Sequence, residues 1–200
     1  MTPGGRYVEE CLLNRLRRRT GIQDLAPLHR IDRGTAGIVL FSVNKGSRGR
    51  YAELFLQGGI EKSYQALSAC RPGPERSVWL VENRLERGEP PFRMKSVPGI
   101  VNARSVITLQ EWSNGIARFL LQPLTGKTHQ LRIHLSGLGC KILNDQYYPV
   151  LQAESADNFA APLQLLARMV RFKDPLSGAI REFVSEQELI QSSLPVPFLR

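Results

Sequence analysis

The sequence predicts an α+β domain, a largely antiparallel mixed sheet flanked by helices. Strand-like segments are mostly separated by turn-forming residues, as in ladders built from hairpins. Helix-like segments are few and interspersed, so the regular alternation of a doubly wound parallel sheet is missing. The length of 200 residues, with 42% hydrophobic and 22% charged, suits one core of ordinary size. Residues 1–200 are read as a single domain, and no internal repeat is seen.

The elements follow in chain order. Tyr7, Val8, Cys11, Leu12 and Leu16 recur at helical spacing while Arg15, Arg17, Arg18 and Arg19 fall mostly off that stripe, which predicts an amphipathic helix over 6–19 ended by Thr20-Gly21. Ile38-Val39-Leu40-Phe41 is a short apolar run bounded by glycine and Asn44-Lys45-Gly46, as expected of a buried strand. Ser47 is placed as the cap of a helix bearing Tyr51, Leu54 and Phe55, which Gly58-Gly59 stops. Ile60 to Ala69 reads as a strand with Lys62, Tyr64 and Ala66 on one face. Residues 71–104, rich in Pro, Gly and charge, read as a surface excursion of short strands and loops. Val106–Leu109 and Ile116–Leu121 flank Asn114-Gly115, a hairpin signal. Thr125-Gly126 leads into a helix over 127–136 that closes near Gly137 and Gly139. Leu165–Phe172 and Ala179–Val184 form a second hairpin around Lys173 to Gly178.

Charge narrows the function. The formal net charge is +9, and residues 1–50 hold ten Lys and Arg against four acids. A polyanion gains affinity from each phosphate neutralised, so nucleic acid is the natural partner and Arg17, Arg18 and Arg19 are candidate phosphate contacts. The alternative for those three is a solvated helix face. No run of about 18 apolar residues occurs and the Met1 end lacks a secretory pattern, so neither a membrane span nor export is indicated, and the cytoplasm is the simplest location. Cys11, Cys70 and Cys140 are far apart and odd in number; they are read as small core hydrophobes, with neither a disulfide nor a zinc knuckle expected. The oligomeric state is not encoded, and a monomer is the default.

Three segments carry chemistry: His29-Arg30-Ile31-Asp32-Arg33-Gly34-Thr35-Ala36-Gly37, Lys62-Ser63-Tyr64-Gln65-Ala66, and Thr125-Gly126-Lys127-Thr128-His129-Gln130-Leu131-Arg132-Ile133-His134-Leu135. Asp32, between glycines and beside arginines, is either a structural ion pair or a reactive acid kept ionised by its neighbours. Arg132 stands three residues from His129 on a helix, away from the stripe of Leu131 and Leu135, and calls for an anion. Tyr64 is either a packing residue or an aromatic face. Three histidines without an acidic or cysteine cluster make no metal site, and no cofactor is implied.

Taken in this order, the segments closely resemble the RluA-type RNA pseudouridine synthases, whose patterns are HR(L/I)DxxTSG, a K-x-Y strand and G(R/K)THQ(I/L)R(V/I)H. Asn144-Asp145-Gln146-Tyr147-Tyr148 resembles the family's G-D-x-x-Y segment, and the final hairpin its closing strands. The resemblance implies a pseudouridine-synthase-like catalytic domain that isomerises uridines of ribosomal or transfer RNA. It implies that Asp32 breaks the N-glycosidic bond, as nucleophile or as base. Arg132 is implied to pair with Asp32 through charge-assisted hydrogen bonds, and Tyr64 to stack on the target uracil and assist proton transfer. Lys127, Thr128, His129 and Gln130 are implied to serve the RNA backbone and the pocket, with Thr35 and Lys62 as further RNA contacts. Arg30 either fills the space left by the flipped nucleotide or contacts a phosphate.

The pattern departs in places. Family members usually begin with a strand ending in D-K-P-x-G before the segment matching Thr2-Pro3-Gly4-Gly5, so the domain is expected to lack its first strand or strands. No separate RNA-binding domain is expected to precede it. The family more often has Arg at position 127, and Gln164-Leu165-Leu166-Ala167 stands where L-H-A is common. An inactive RNA-binding descendant of the family is the alternative; the intact Asp32, Tyr64 and Arg132 favour the enzyme.

Overall fold

The computed structural model describes residues 10–70, 77–152 and 160–190, and the segment around Thr2-Pro3-Gly4-Gly5 lies outside these. The described residues form helices α1 (Leu12–Thr20), α2 (Arg48–Leu56) and α3 (Gln130–Gly137). The strands are β1 (Ala26–Pro27), β2 (Ala36–Gly37), β3 (Phe41–Ser42), β4 (Ile60–Ser68), β5 (Val78–Arg87), β6 (Met94–Val97), β7 (Ala103–Ser113), β8 (Ile116–Pro123), β9 (Leu165–Lys173) and β10 (Ile180–Val184). The main sheet runs β10-β9-β4-β8-β7-β5-β6 with every neighbouring pair antiparallel, and β2 joins β9 in parallel. This is the mixed, largely antiparallel α+β sheet expected. None of the described helices is long and apolar enough to cross a membrane.

The register decides which side chains face the site. Lys62 lies opposite Val170, Tyr64 opposite Leu121 and Ala167, and Ala66 opposite Phe119 and Leu165. A register shift between Ser63 and Tyr64 leaves Arg168 as an extra residue on β9. Directly paired residues share a face, so Ile60, Lys62, Tyr64 and Ala66 all point to the side that the helices cover. There Leu131 and Leu135 of α3 pack on Ala66, Ile107, Phe119 and Leu121. Tyr51, Leu54 and Phe55 of α2 pack on Ile60, Val170 and Phe172. Each fully buried Leu, Ile or Phe contributes about 1.5–3 kcal/mol, and truncating Phe119 to Ala is expected to cost about 3–5 kcal/mol. Lys62 and Tyr64 thus stand in the gap between the two helices.

Several expectations are met. Gly21 ends α1, its N–H donating to the Arg17 carbonyl at 2.9 Å. Asn114 and Gly115, both at positive φ, turn β7 into β8. The closing hairpin is β9–β10.

Others are corrected. The helix expected over 6–19 is seen from Leu12, and the residues before 10 lie outside the described range. Ile38-Val39-Leu40 is not a strand: β2 ends at Gly37, Ile38 N–H donates to the Ala167 carbonyl and Leu40 N–H to His29 Nε2. Ile38 and Leu40 instead pack on the cluster of Ile60, Val170 and Phe172, so the apolar run answers to burial and not to a ladder. Ser47 has helical dihedrals and makes no side-chain cap; Asn44 Oδ1 accepts from Gly46 and Ser47 N–H. In the stretch read as a surface excursion, β5 is a ten-residue strand of the main sheet. Its signal is weak because apolar residues sit on both faces, Trp79, Val81 and Leu85 inward and Val78 and Leu80 outward. Helix α3 starts at Gln130, three residues later than expected. Cys70 and Cys140, read as unpaired hydrophobes, form a disulfide across a 70-residue separation, their Cα atoms 5.2 Å apart. Cys11 does behave as expected, buried with Leu13 and Leu25.

Candidate active site

The loop carrying Asp32 is shaped by two glycines. Thr35 N–H donates to the Asp32 carbonyl at 3.1 Å. The third residue of this turn, Gly34, has φ +88°, which a type II turn reserves for glycine. At Gly37, φ +103°, a Cβ would collide with the Ala167 carbonyl, so the chain lies directly against β9. Next to the turn, His29 stacks on Phe55 at 4.7 Å and accepts the Leu40 N–H through Nε2 at 3.0 Å. Burial pushes its pKa down to about 4, so it is a neutral, fixed acceptor whose Nε2 lone pair is already committed.

Asp32 opens into a cavity of about 270 Å³ that Tyr64, Lys62 and the start of α3 also line. Tyr64 is held protonated: burial, and then the charge of Asp32, push its phenol up to about 12. It therefore offers an aromatic face and an O–H donor. Lys62 beside it is partly desolvated, which lowers its pKa.

Arg132 is 3% exposed and enters the site from α3. Its fork is held by Asp145, not by Asp32: Nε donates to Oδ2 at 2.8 Å and Nη2 to Oδ1 at 2.6 Å. Asp32 Oδ2 is 4.0 Å from Nη1, an ion pair without a hydrogen bond. The expected pairing is thus present as an ion pair, but without the charge-assisted hydrogen bonds, which go to Asp145. Asp145 is itself fixed by the N–H groups of Tyr147 and Tyr148, at 2.8 and 3.2 Å. The two tyrosine rings lie 4.6 and 5.3 Å from the guanidinium carbon. Burial works against the charge of Arg132, but the hydrogen bonds and charge of Asp145, followed by the charge of Asp32, outweigh it and raise the pKa. The arginine is a permanent cation with one nitrogen turned to the catalytic candidate.

His129 precedes α3 at φ +53°, a conformation uncommon for a non-glycine residue. Its Nδ1 is 2.9 Å from the Tyr148 hydroxyl, which accepts the Met94 N–H at 2.8 Å. Burial lowers the pKa of His129 in the first place, with the charge of Asp32 opposing. For the neutral ring, the arrangement that satisfies every partner has the hydroxyl donating to Nδ1 and leaves a proton on Nε2.

Among the other residues expected here, Arg30, Thr35, Lys127 and Gln130 line the cavity, and Thr128 does not. Arg30 and Lys127 are exposed at its rim. Thr35 Oγ1 is buried without a partner among the described residues. Gln130 is used internally: Oε1 accepts from Thr125 Oγ1 and Lys127 N–H, and Nε2 donates to the Arg104 carbonyl and Ser105 Oγ. It braces the 125–127 turn. Arg17, Arg18 and Arg19 lie away from the cavity; Arg17 donates to the Leu25 carbonyl and Arg18 pairs with Glu10, both at 2.9 Å. Asp145 is the site residue that sequence reasoning missed, although the 144–148 segment that contains it carries part of the family resemblance.

A twisted sheet presenting one carboxylate, an anchored arginine and a protonated tyrosine in a cation-rimmed cleft defines an enzyme site suited to a nucleic-acid substrate. Residues 1–137 match the family described as RNA pseudouridylate synthase. The dual-specificity RNA pseudouridine synthase RluA of Pasteurella multocida is 29% identical over 201 residues, 94% of this chain and 80% of that protein. The ribosomal large subunit pseudouridine synthase C of Rickettsia typhi is 31% identical over 131 residues, 62% of this chain and 42% of that protein. The solved structure of human RNA pseudouridylate synthase domain containing 1 superposes with a TM-score of 0.71 at 23% identity, covering 93% of this chain and 83% of that one, a likeness of fold. The chain belongs to the RNA pseudouridylate synthase family, an RluA-type isomerase.

Proposed function

We propose that this protein converts specific uridines of ribosomal or transfer RNA to pseudouridine with Asp32 as its catalytic carboxylate. The observation that carries this reading is the placement of Asp32 4.0 Å from Arg132 in a cavity that Tyr64 also lines. The target nucleotide leaves its stack, and its uracil lies on the face of Tyr64. Asp32 then acts on the ribose, as nucleophile at C1′ or as base. The C1′–N1 bond breaks, the uracil turns, C1′ joins C5, and the C5 proton is lost while N1 gains one. Arg132 sets a fixed positive charge beside the carboxylate without covering it, because Asp145 holds two of its three guanidinium nitrogens.

The unpartnered Thr35 hydroxyl and the Nε2–H of His129 are donors for the polar edges of the nucleotide. Arg30, Lys62 and Lys127 meet its phosphates, and Thr128 and Arg19 are outlying backbone contacts. Gln130 acts by bracing the turn that carries Lys127. The reaction needs no metal, nucleotide or redox cofactor, and the protein works as a monomer.

Release of tritium from RNA labelled at uridine C5 reports the reaction. Total RNA from a strain lacking the gene, with chelator present, is expected to release label. Absence of release by folded protein would overturn the catalytic reading and favour the alternative, a binding domain without catalysis.

A further inference from the structure

Phe92 is the feature the catalytic reading leaves unused. Single exposed apolar side chains are ordinary on protein surfaces, and Phe92, 52% exposed, would be one more were it not for where it stands. Its ring centroid is 5.2 Å from that of Tyr147. Tyr147 is 5.6 Å from His129, which lines the cavity, and lies over the Arg132 guanidinium. A ladder of rings therefore runs from the wall of the cavity to solvent and ends on an open aromatic face.

The loop that presents Phe92 is held in place. Gly88 N–H donates to the Arg93 carbonyl at 3.0 Å and Arg93 N–H to that of Pro90 at 2.9 Å. The Arg93 guanidinium donates to the Pro149 carbonyl at 3.0 Å, and Met94 N–H to the same Tyr148 hydroxyl that orients His129. Lys95 is exposed just beyond, a cation for a neighbouring phosphate. A pinned aromatic face beside a cation, two rings from the reacting centre, has the makings of a stacking platform for single-stranded nucleic acid.

We propose that Phe92 stacks an unpaired base of the RNA strand on its way into the cavity, a binding site distinct from the one that holds the target uracil. The proposal rests on the RNA reading above but not on turnover, and its test uses binding alone. Fluorescein-labelled decauridylate and an abasic ribose-phosphate chain of equal length are titrated against wild type, Phe92→Ala and Phe92→Trp at several salt concentrations. Phe92→Ala is expected to lose about tenfold or more in affinity for decauridylate. It should lose almost nothing on the abasic chain and keep the wild-type salt slope, and Phe92→Trp should retain wild-type affinity. Equal losses on both chains, a flatter salt slope, or no loss on either would overturn the assignment. Failure to isomerise uridine with this base-dependent loss intact would count against the catalytic reading and leave the platform standing.

Discussion

Asp145 grips the Nε and Nη2 of Arg132 at 2.8 and 2.6 Å, leaving Nη1 to face Asp32 across 4.0 Å. One guanidinium thus serves two carboxylates unequally, the buried one as anchor and the accessible one as client. Asp145 has 1% and Asp32 17% of the side chain exposed, so the two aspartates answer to different physics. Removing Asp145 leaves a buried cation without its partner, whereas removing the charge of Asp32 leaves the anchored pair intact.

Asp145→Asn is therefore expected to cost on the order of 3–5 kcal/mol of stability and to lower the saturating single-turnover rate about a hundredfold as Arg132 loses its position. Asp32→Asn is expected to stay within about 1 kcal/mol of wild type and to abolish turnover while RNA binding survives. Denaturant titration and rapid-quench kinetics on both variants check this. An Asp145→Asn protein with wild-type stability and rate would deprive Asp145 of its anchoring role.

The stability of the fold should depend on pH through its histidines. Burial holds His29 and His134 at about 4, below the 6.5 of the unfolded chain. Between these values the unfolded state binds protons that the folded state does not, so stability is full above about pH 6.5 and falls as pH drops toward 4. Each histidine contributes up to roughly 1.4 kcal/mol per pH unit in that window. Calorimetric unfolding at pH ~5.5 in buffers of different ionisation enthalpy should show uptake of more than one proton. Proton release on unfolding would contradict the assignment.

The disulfide ties Cys70, just past the end of β4, to Cys140, just past the end of α3, across 70 residues. Closing a loop of that length constrains the unfolded chain by up to about 4 kcal/mol. Reduction should lower the thermal midpoint by several degrees, and a Cys70→Ser/Cys140→Ser protein should match reduced wild type with or without reductant. Mass shifts after alkylation of unreduced, unfolded protein should report a single free thiol, Cys11. Three alkylated cysteines would remove the cross-link.

What was legible in the sequence divides along physical lines. Asp32, Tyr64 and Lys62 could be placed because a turn with glycine at a positive-φ position and an alternating strand are local devices. The hairpins and the α3 core stripe were legible for the same reason. Asp145, the Cys70–Cys140 pair and the internal use of Gln130 were not, since each depends on segments joined only by the tertiary fold. The strand β5 escaped because apolar residues on both of its faces blur the period-two pattern. Arg17 looked like its neighbours in a basic run, and only the fold shows its donor bound to the Leu25 carbonyl.

That last difference sorts the arginines by experiment. Arg30 and Lys127 are exposed at the rim of the cavity, where each is proposed to neutralise a phosphate, while Arg17 is occupied in joining α1 to the chain at Leu25. Arg30→Gln and Lys127→Gln should weaken RNA binding and flatten its salt dependence by about 0.7–0.9 for each phosphate no longer neutralised. Single-turnover rates at saturating RNA should change little, because neither group touches Asp32. Arg17→Gln should lower thermal stability and leave the salt slope unchanged, since removing a side-chain-to-backbone hydrogen bond weakens the fold and not the phosphate field. Affinity measured across a series of salt concentrations separates the two kinds of residue. A flattened slope in Arg17→Gln at unchanged stability would return Arg17 to the RNA interface.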